Sequence, residues 1–437
     1  MSSQHKVVLL NQPARIYGYT PAQFAVMLAT LFIAFIAATH VPAWKIAYLP
    51  VSFLIGMTVL GTGTALVQAT NVRSLRWWRK RIGLARRGLP LYLPDVRLAP
   101  GADSDLAVLV LADGTKRLCI KCSGIDMLKL DALQREDLAS IFTNVVTACG
   151  AGVQIITTRA AGPSFANAFY LIFSGRSVSD FDTALIEVTK GSSLPATLLP
   201  AGEGADLADV LPKLRQAGLS PVSVTRGEMR KLLFAHLSPA HYSRGDAPPA
   251  STETSSESMT LCPSGFEQRT RYVAIDHNFC ATLRLSRFPS QTYVGWLRSL
   301  LSLDCRYTTA LHLQYCDQKA ARRQVSQKLA LLLATKGHLH LQLAGESLLA
   351  MQSFLQGSLA AFDVAIYLTI FADSLEQLAV NIKQAKQLAA NSGAVLETTD
   401  LEQLEGLISC LPIGVDQLNN VHRVLSPIVG TCWPFVA

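Results

Sequence analysis

The chain has 437 residues, of which 50% are hydrophobic and 16% charged, with a mean hydropathy of +0.28; this excludes a disordered chain and a small disulfide-stapled scaffold, and leaves room for two or three domains. The net charge of +8 is concentrated: Arg73, Arg76, Arg79, Lys80, Arg81, Arg86 and Arg87 form one acid-free block, which excludes a generally basic, nucleic-acid-coating surface. The nine cysteines are irregularly spaced and mostly sit inside apolar segments, which predicts reduced, buried thiols in a cytosolic setting.

Two charge-free apolar runs come first, Ala22 to Ala38 and Ile46 to Ala69. A hydrocarbon core of ~30 Å takes roughly 20 helical residues, so the runs predict a two-helix transmembrane hairpin within residues 1–95. The loop between them carries Lys45 alone, whereas the basic block follows the second run. The positive-inside rule then predicts a multi-pass protein of the cytoplasmic (inner) membrane with both termini cytoplasmic. Trp77 and Trp78 lie between Arg73, Arg76, Arg79, Lys80 and Arg81. That mixture predicts a membrane-interface belt, with tryptophans at headgroup depth and cations against anionic lipid. Stacking plus charge on a nucleic acid is the competing reading of the same residues.

From about Gly101 the pattern changes to alternating strands and helices. Ala107 to Leu111 and Thr115 to Lys121 read as strands around an Asp113-Gly114 turn, Leu133 to Cys149 as a helix, and Val153 to Thr158 as a strand. After a poorly patterned middle come a helix from Leu207 to Ala217, a strand from Pro221 to Val224 and a helix from Arg226 to Leu237. Residues 244–260 are rich in Pro, Ser, Thr and Glu and predict a flexible linker between two α/β subdomains, 96–243 and 261–437. Beyond it the reading is strand Phe279–Leu285, helix Ser290–Leu303, strand Tyr307–Leu313, helix Gln318–Ala334, strand Val364–Phe371, helix Leu375 to about Ala390 and edge strand Ala394–Glu397. Ser374 with Gln377 predicts a capping box and Gly393 the C-terminal cap. The fold class expected is mixed α/β (α+β) with split β-α-β character.

Chemistry-bearing motifs are sparse. The sequence holds no G-x-x-x-x-G-K-[ST], G-x-S-x-G, H-E-x-x-H or G-x-G-x-x-G. Cys119 and Cys122 form a single C-x-x-C, and on a strand they face opposite ways, so they do not converge on a metal. His338 and His340 lack a third ligand. Asp400, Glu402 and Glu405 fit the first turn of a helix, with Thr399 and Glu402 as its capping box. No catalytic, cofactor-binding or metal-binding residue is expected.

The segments AVLVLADGTKRLCIKCSGIDMLKLD, RFPSQTYVGWLRSLLSLDCRYTTALHLQYCDQKAARRQVSQKLA (with Pro289 and Trp296), FADSLEQLAVNIKQAKQLAANSGAVLETTDLEQLEGLISCLPIG (with Gln403, Leu411 and Pro412) and NNVHRVLSPIVGTCWPF (with Arg423, Pro434 and Phe435) resemble the large ATPase of type IV secretion and conjugation systems, without its motor domain. Pro13 to Phe24 and the first apolar run resemble the small inner-membrane component sometimes fused to that ATPase. The resemblance implies a non-catalytic, membrane-anchored scaffold or assembly subunit, with ATP hydrolysis left to a separate motor. The implied partners are membrane lipids, other secretion subunits including a motor ATPase, and further copies of the chain; direct contact with DNA stays open as the alternative.

Overall fold

The computed structural model describes residues 5–7, 32, 45–46, 49–50, 95–100, 107–148, 152–159, 167–175, 207–239, 245–249, 260–261, 263, 265–334, 351–357 and 359–435. The chain divides into two compact units, one of residues 1–11, 91–324 and 344–437, the other of residues 12–90 and 325–343.

In the smaller unit, β2 (Lys45–Ile46) and β3 (Leu49–Pro50) pair antiparallel, Lys45 with Pro50 and Ile46 with Leu49. The second apolar run, where the sequence predicts helix from Ile46, therefore begins with paired strand residues. The rest of both runs, apart from Phe32, lies outside the described residues. Among the described residues no helix is long and apolar enough to cross a membrane, so the transmembrane hairpin is unsupported by the structure.

The larger unit is built on one 13-stranded sheet in which every pairing is antiparallel. Its first half holds β4 (Val96–Pro100), β5 (Ala107–Leu111), β6 (Lys116–Cys122), helix α1 (Ala132–Ala148), β7 (Val153–Arg159), β8 (Asn167–Gly175), α2 (Leu207–Gln216), β9 (Val222–Ser223) and α3 (Arg226–Leu237). The second half holds β10 (Phe266–Gln268), β11 (Val273–Ile275), β12 (Asn278–Arg287), β13 (Gln291–Thr292), α4 (Arg298–Leu301), β14 (Tyr307–Tyr315), α5 (Gln318–Ala334), β15 (Ala361–Ala372), α6 (Leu375–Asn391), β16 (Val395–Thr398), α7 (Gln403–Cys410), β17 (His422–Leu425) and α8 (Ser426–Thr431). The strand order is β10-β11-β12-β15-β14-β7-β8-β6-β5-β4, with β16 beside β12, β17 beside β15 and β9 beside β6. The two segments expected as separate subdomains thus share a sheet, because β14 pairs with β7 from Tyr307↔Arg159 to Leu313↔Val153. A short β1 (His5–Lys6) pairs with β13.

Period-two alternation sends each strand's apolar residues to two cores. Val153, Ile155, Leu311, Leu313, Val364 and Ile366 face a first core that α1, α2, α4, α6 and α8 cover. Ile156, Ala310, Ala365 and Tyr367 face a second core that α3 and α7 cover. Both faces of the central strands are therefore buried, which is why Ala361–Ala372 reads as a nearly unbroken apolar run.

Local chemistry sets several helix ends. Thr225 and Glu228 make a reciprocal capping box at the start of α3, an arrangement that stabilises a helix by about 1 kcal/mol. Ser374 accepts from Gln377 N at 3.2 Å, but the Gln377 side chain turns to Asn381 instead of closing the box. Two expectations are corrected. The helix predicted over Ser290–Leu303 is reduced to α4, since Gln291–Thr292 is drawn into pairing with β1. The acidic-led helix starts at Gln403, not after Thr399, because the Thr399 hydroxyl and N–H both bond to Thr282 O of β12, each at 3.0 Å.

Residues 426–435 close the first core over α1. Trp433 and Phe435 pack edge-on to Phe142 at 5.4 and 6.3 Å between ring centroids, and Ile125 N donates to Phe435 O at 2.9 Å. The approach of α8 depends on Gly430: a Cβ there would lie 2.7 Å from Ala139 O, a backbone atom of α1 that has no room to move. Gly430→Ala is expected to lower stability by roughly 1–3 kcal/mol through overpacking, read as a fall in the urea midpoint.

Candidate functional site

The basic, tryptophan-bearing residues Arg73, Arg76, Trp77, Trp78, Arg79, Lys80 and Arg81 lie outside the described residues, as do His338 and His340. Cys119 and Cys122 point to the second and first cores respectively, as strand alternation requires. Burial pushes the Cys122, Cys280 and Cys410 thiols up to about 12, so all three stay protonated at neutral pH. Among the described residues no group of three His, Cys, Asp or Glu side chains could hold a metal ion. Of Asp400, Glu402 and Glu405, Glu402 sits 3.3 Å from Arg284, which also reaches Glu397 of β16 at 3.5 Å, so two carboxylates neutralise one cation.

What the structure does bring together, unseen in the sequence, is a buried polar cluster on the second face at the middle of the sheet. It gathers Gln154 of β7, His312 of β14, Tyr367 of β15 and the segment 409–420 that follows α7. Gln154, 2% exposed, donates through Nε2 to Ser409 O at 3.0 Å and Leu411 O at 2.9 Å, and its Oε1 accepts from Gly414 N at 2.6 Å. His312 Nε2 lies 2.8 Å from Ser409 O, which requires the proton on that nitrogen. These side chains occupy the carbonyls that a helix leaves unpaired at its C-terminus.

The next turn is held by hydroxyls. Ser409 Oγ donates to Glu405 O at 2.8 Å and accepts from Gln417 N at 2.9 Å. Tyr367 donates to Asp416 Oδ1 at 2.9 Å and accepts from Asn420 N at 3.0 Å. Burial, reinforced by the Asp416 carboxylate, pushes the Tyr367 phenol far up, so it remains a donor at any working pH. Burial also draws the His312 imidazole down, against the pull of Asp416. Beyond the cluster, Asn420 Nδ2 and His422 Nε2 lie 3.0 and 2.8 Å from Leu285 O, and Arg423 makes a two-pronged ion pair with Asp363 at 2.9 and 2.8 Å. The cluster is a clamp. Its donors and acceptors are spent on one another, and they fix residues 409–423 against the central strands.

A parallel clamp anchors α3. Its His236, 3% exposed, has Nδ1 at 2.7 Å from Leu232 O and Nε2 at 2.9 Å from Thr308 Oγ1, so the ring donates through Nδ1 and accepts through Nε2. Arg306 donates to Ala235 O and Pro239 O at 2.6 and 3.0 Å and lies over the Phe371 ring. On the first face, a groove of about 770 Å³ between α1 and the end of α2 is lined by Ile125, Leu130, Gln134, Leu138, Ile141 and Gln216, among others.

Two outcomes test the clamps. Gln154→Leu leaves the partly buried Gly414 N without its acceptor and takes one of two donors from each of Ser409 O and Leu411 O, and is expected to cost roughly 1–3 kcal/mol, with the first proteolytic cut moving into residues 411–420. Burial pulls the His236 imidazole down to about 4. The unfolded chain takes up that proton near 6.5, so the neutral ring's contribution is complete above about pH 6.5 and is lost as pH falls toward 4. Urea midpoints should fall across that window by an amount worth roughly 3 kcal/mol, and His236→Gln should flatten the slope.

No curated protein matches the chain. The matched family region runs from just before β10, through α7, to Gly414 in the clamped segment. Residues 247–414 match the CagE, TrbE, VirB family, component of type IV transporter system, in agreement with the resemblance carried by the sequence motifs.

Proposed function

We propose that the chain is a membrane-anchored, non-catalytic scaffold or assembly subunit of a type IV secretion or conjugation system, which docks a separate motor ATPase. The observation that carries this reading is the family match over residues 247–414, the region whose strands and helices form the second half of the sheet. Three further features favour a platform over an engine. The sequence contains no phosphate-binding G-x-x-x-x-G-K-[ST]. The polar groups at the middle of the sheet are consumed in holding residues 409–423. The two charge-free runs followed by the basic block at Arg73 to Arg87 suit an anchor in the inner membrane, with lipid headgroups as the first partners.

The second reading, a membrane-tethered nucleic-acid-binding protein, is favoured by one observation, the Arg73–Arg81 block with Trp77 and Trp78. One experiment separates the two. The tagged full chain, extracted in mild detergent from the cells that make it, is expected to bring down a P-loop ATPase and to retain it when Arg79, Lys80 and Arg81 are replaced by Gln. Recovery of the chain alone sinks the scaffold reading. Binding to DNA that weakens on those replacements and shows a shallower salt dependence supports the alternative.

A further inference from the structure

Only the second half of the sheet carries the family match, yet the first half repeats its strands β10–β12 and β14–β16; among the described residues β13 and β17 have no counterpart. In the first half the succession β6-α1-β7-β8-α2-β9 lies in the sheet as β9-β6-β8-β7. In the second, β12-α4-β14-β15-α6-β16 lies as β16-β12-β15-β14. Each is a split β-α-β pair with the fourth, first, third and second strands in that spatial order. Each is preceded by a two-strand lead, β4-β5 or β10-β11, that takes one end of the first strand's outer edge while the last strand takes the other. Each is followed by a helix on the second face, α3 or α7.

The correspondence reaches individual residues. Ile120 pairs with Leu171 and Ser223 as Leu283 pairs with Leu368 and Thr398. Val224 N bonds to Cys119 O as Thr399 N bonds to Thr282 O. Helices α2 and α6 end in the same turn: Leu219 N bonds to Leu214 O and Ala394 N to Ala389 O, both at 3.0 Å, with Gly218 and Gly393 both at φ +78°. Tyr170 and Tyr367 stand at the same place on β8 and β15.

The halves meet through their second strands. The β7–β14 ladder is centred on Ile156↔Ala310, so Gln154 and Thr308 sit at equivalent distances from its midpoint. Each reaches the end of the other half's helix. Gln154 of the first half holds Ser409 O and Leu411 O behind α7, and Thr308 of the second half holds His236 of α3.

We infer that residues 96–237 are a second copy of the module matched in residues 247–414, and that β7 and β14 form a two-fold docking seam between the two copies. The sequence hides the copy because its sheet positions need only apolar alternation, which many residue types satisfy. The insertions also differ. The β14–β15 connection carries α5, whereas only seven residues of sequence, 160–166, separate β7 from β8.

The test uses the full chain in detergent with a protease recognition sequence inserted between Gly245 and Asp246, a pair of exposed positions. After cleavage, the halves 1–245 and 246–437 should co-elute as a one-to-one complex. Intermediate urea should separate them, and each separated half should keep its own cooperative melt and recombine on dilution. Gln154→Leu should weaken recombination about tenfold while leaving both melts in place, since about 1.4 kcal/mol is a factor of ten in affinity. Halves that part spontaneously on cleavage would overturn the seam. A half that loses cooperative structure once separated would overturn the module, as would Gln154→Leu halves recombining at the unaltered affinity.

Discussion

The ladder between β7 and β14 is the constraint on which the larger unit depends. Without it the first face would be two unrelated patches, and the second would have no common floor for α3 and α7. Its residues divide the labour by alternation. Val153, Ile155, Leu311 and Leu313 join the first core, while Gln154, Thr308 and His312 turn polar groups to the second face. An apolar residue at Gln154 would satisfy the sheet as well, but it would leave Gly414 N without its acceptor and Ser409 O and Leu411 O with one donor each instead of two.

That choice explains how a polar floor is tolerated at the middle of a sheet. A buried amide, imidazole and phenol each cost free energy unless their hydrogen bonds are met. Here they are met by Ser409 O at the end of α7, by Leu411 O, Gly414 N and Asn420 N in the segment after it, and by the Asp416 carboxylate. The cost of burying the side chain and the cost of burying a helix end offset one another. The same logic sets protonation states, since a ring that must accept through Nε2 from Thr308 and donate through Nδ1 to Leu232 has to be neutral.

Much of the secondary structure was legible in the sequence, where one physical signal dominates. The α3 span matches expectation, as do the start of α6 and the Gly393 stop, because capping residues and apolar spacing agree there. Strand β8 was missed although Ala168 to Phe173 is strongly apolar, since a short apolar run buried on both faces carries no period. The apolar spacing of Ser290–Leu303 fits a helix, and the pairing of Gln291–Thr292 with β1 overrides that spacing. The linker expected at 244–260 rests on composition, and composition says nothing of the strand pairing that joins its two sides. The clamp was illegible for the same reason. Gln154, His312, Tyr367 and Asp416 are scattered along the chain, and only the sheet register gathers them. The basic block that gave the sequence its one candidate interface lies outside the described residues.

The closure of α1 by residues 426–435 has a consequence for the order in which the protein is made. The face of α1 that carries Phe142 is complete when less than half of the chain has been synthesised, yet its covering rings, Trp433 and Phe435, come from nearly 300 residues later. Thr143 meets Ser426 O across the same distance in sequence. Until that late segment arrives, the early helix presents an uncovered aromatic surface to the cell. The growing chain therefore carries that surface open for as long as synthesis of the second half lasts, and the speed of completion sets how long it stays exposed.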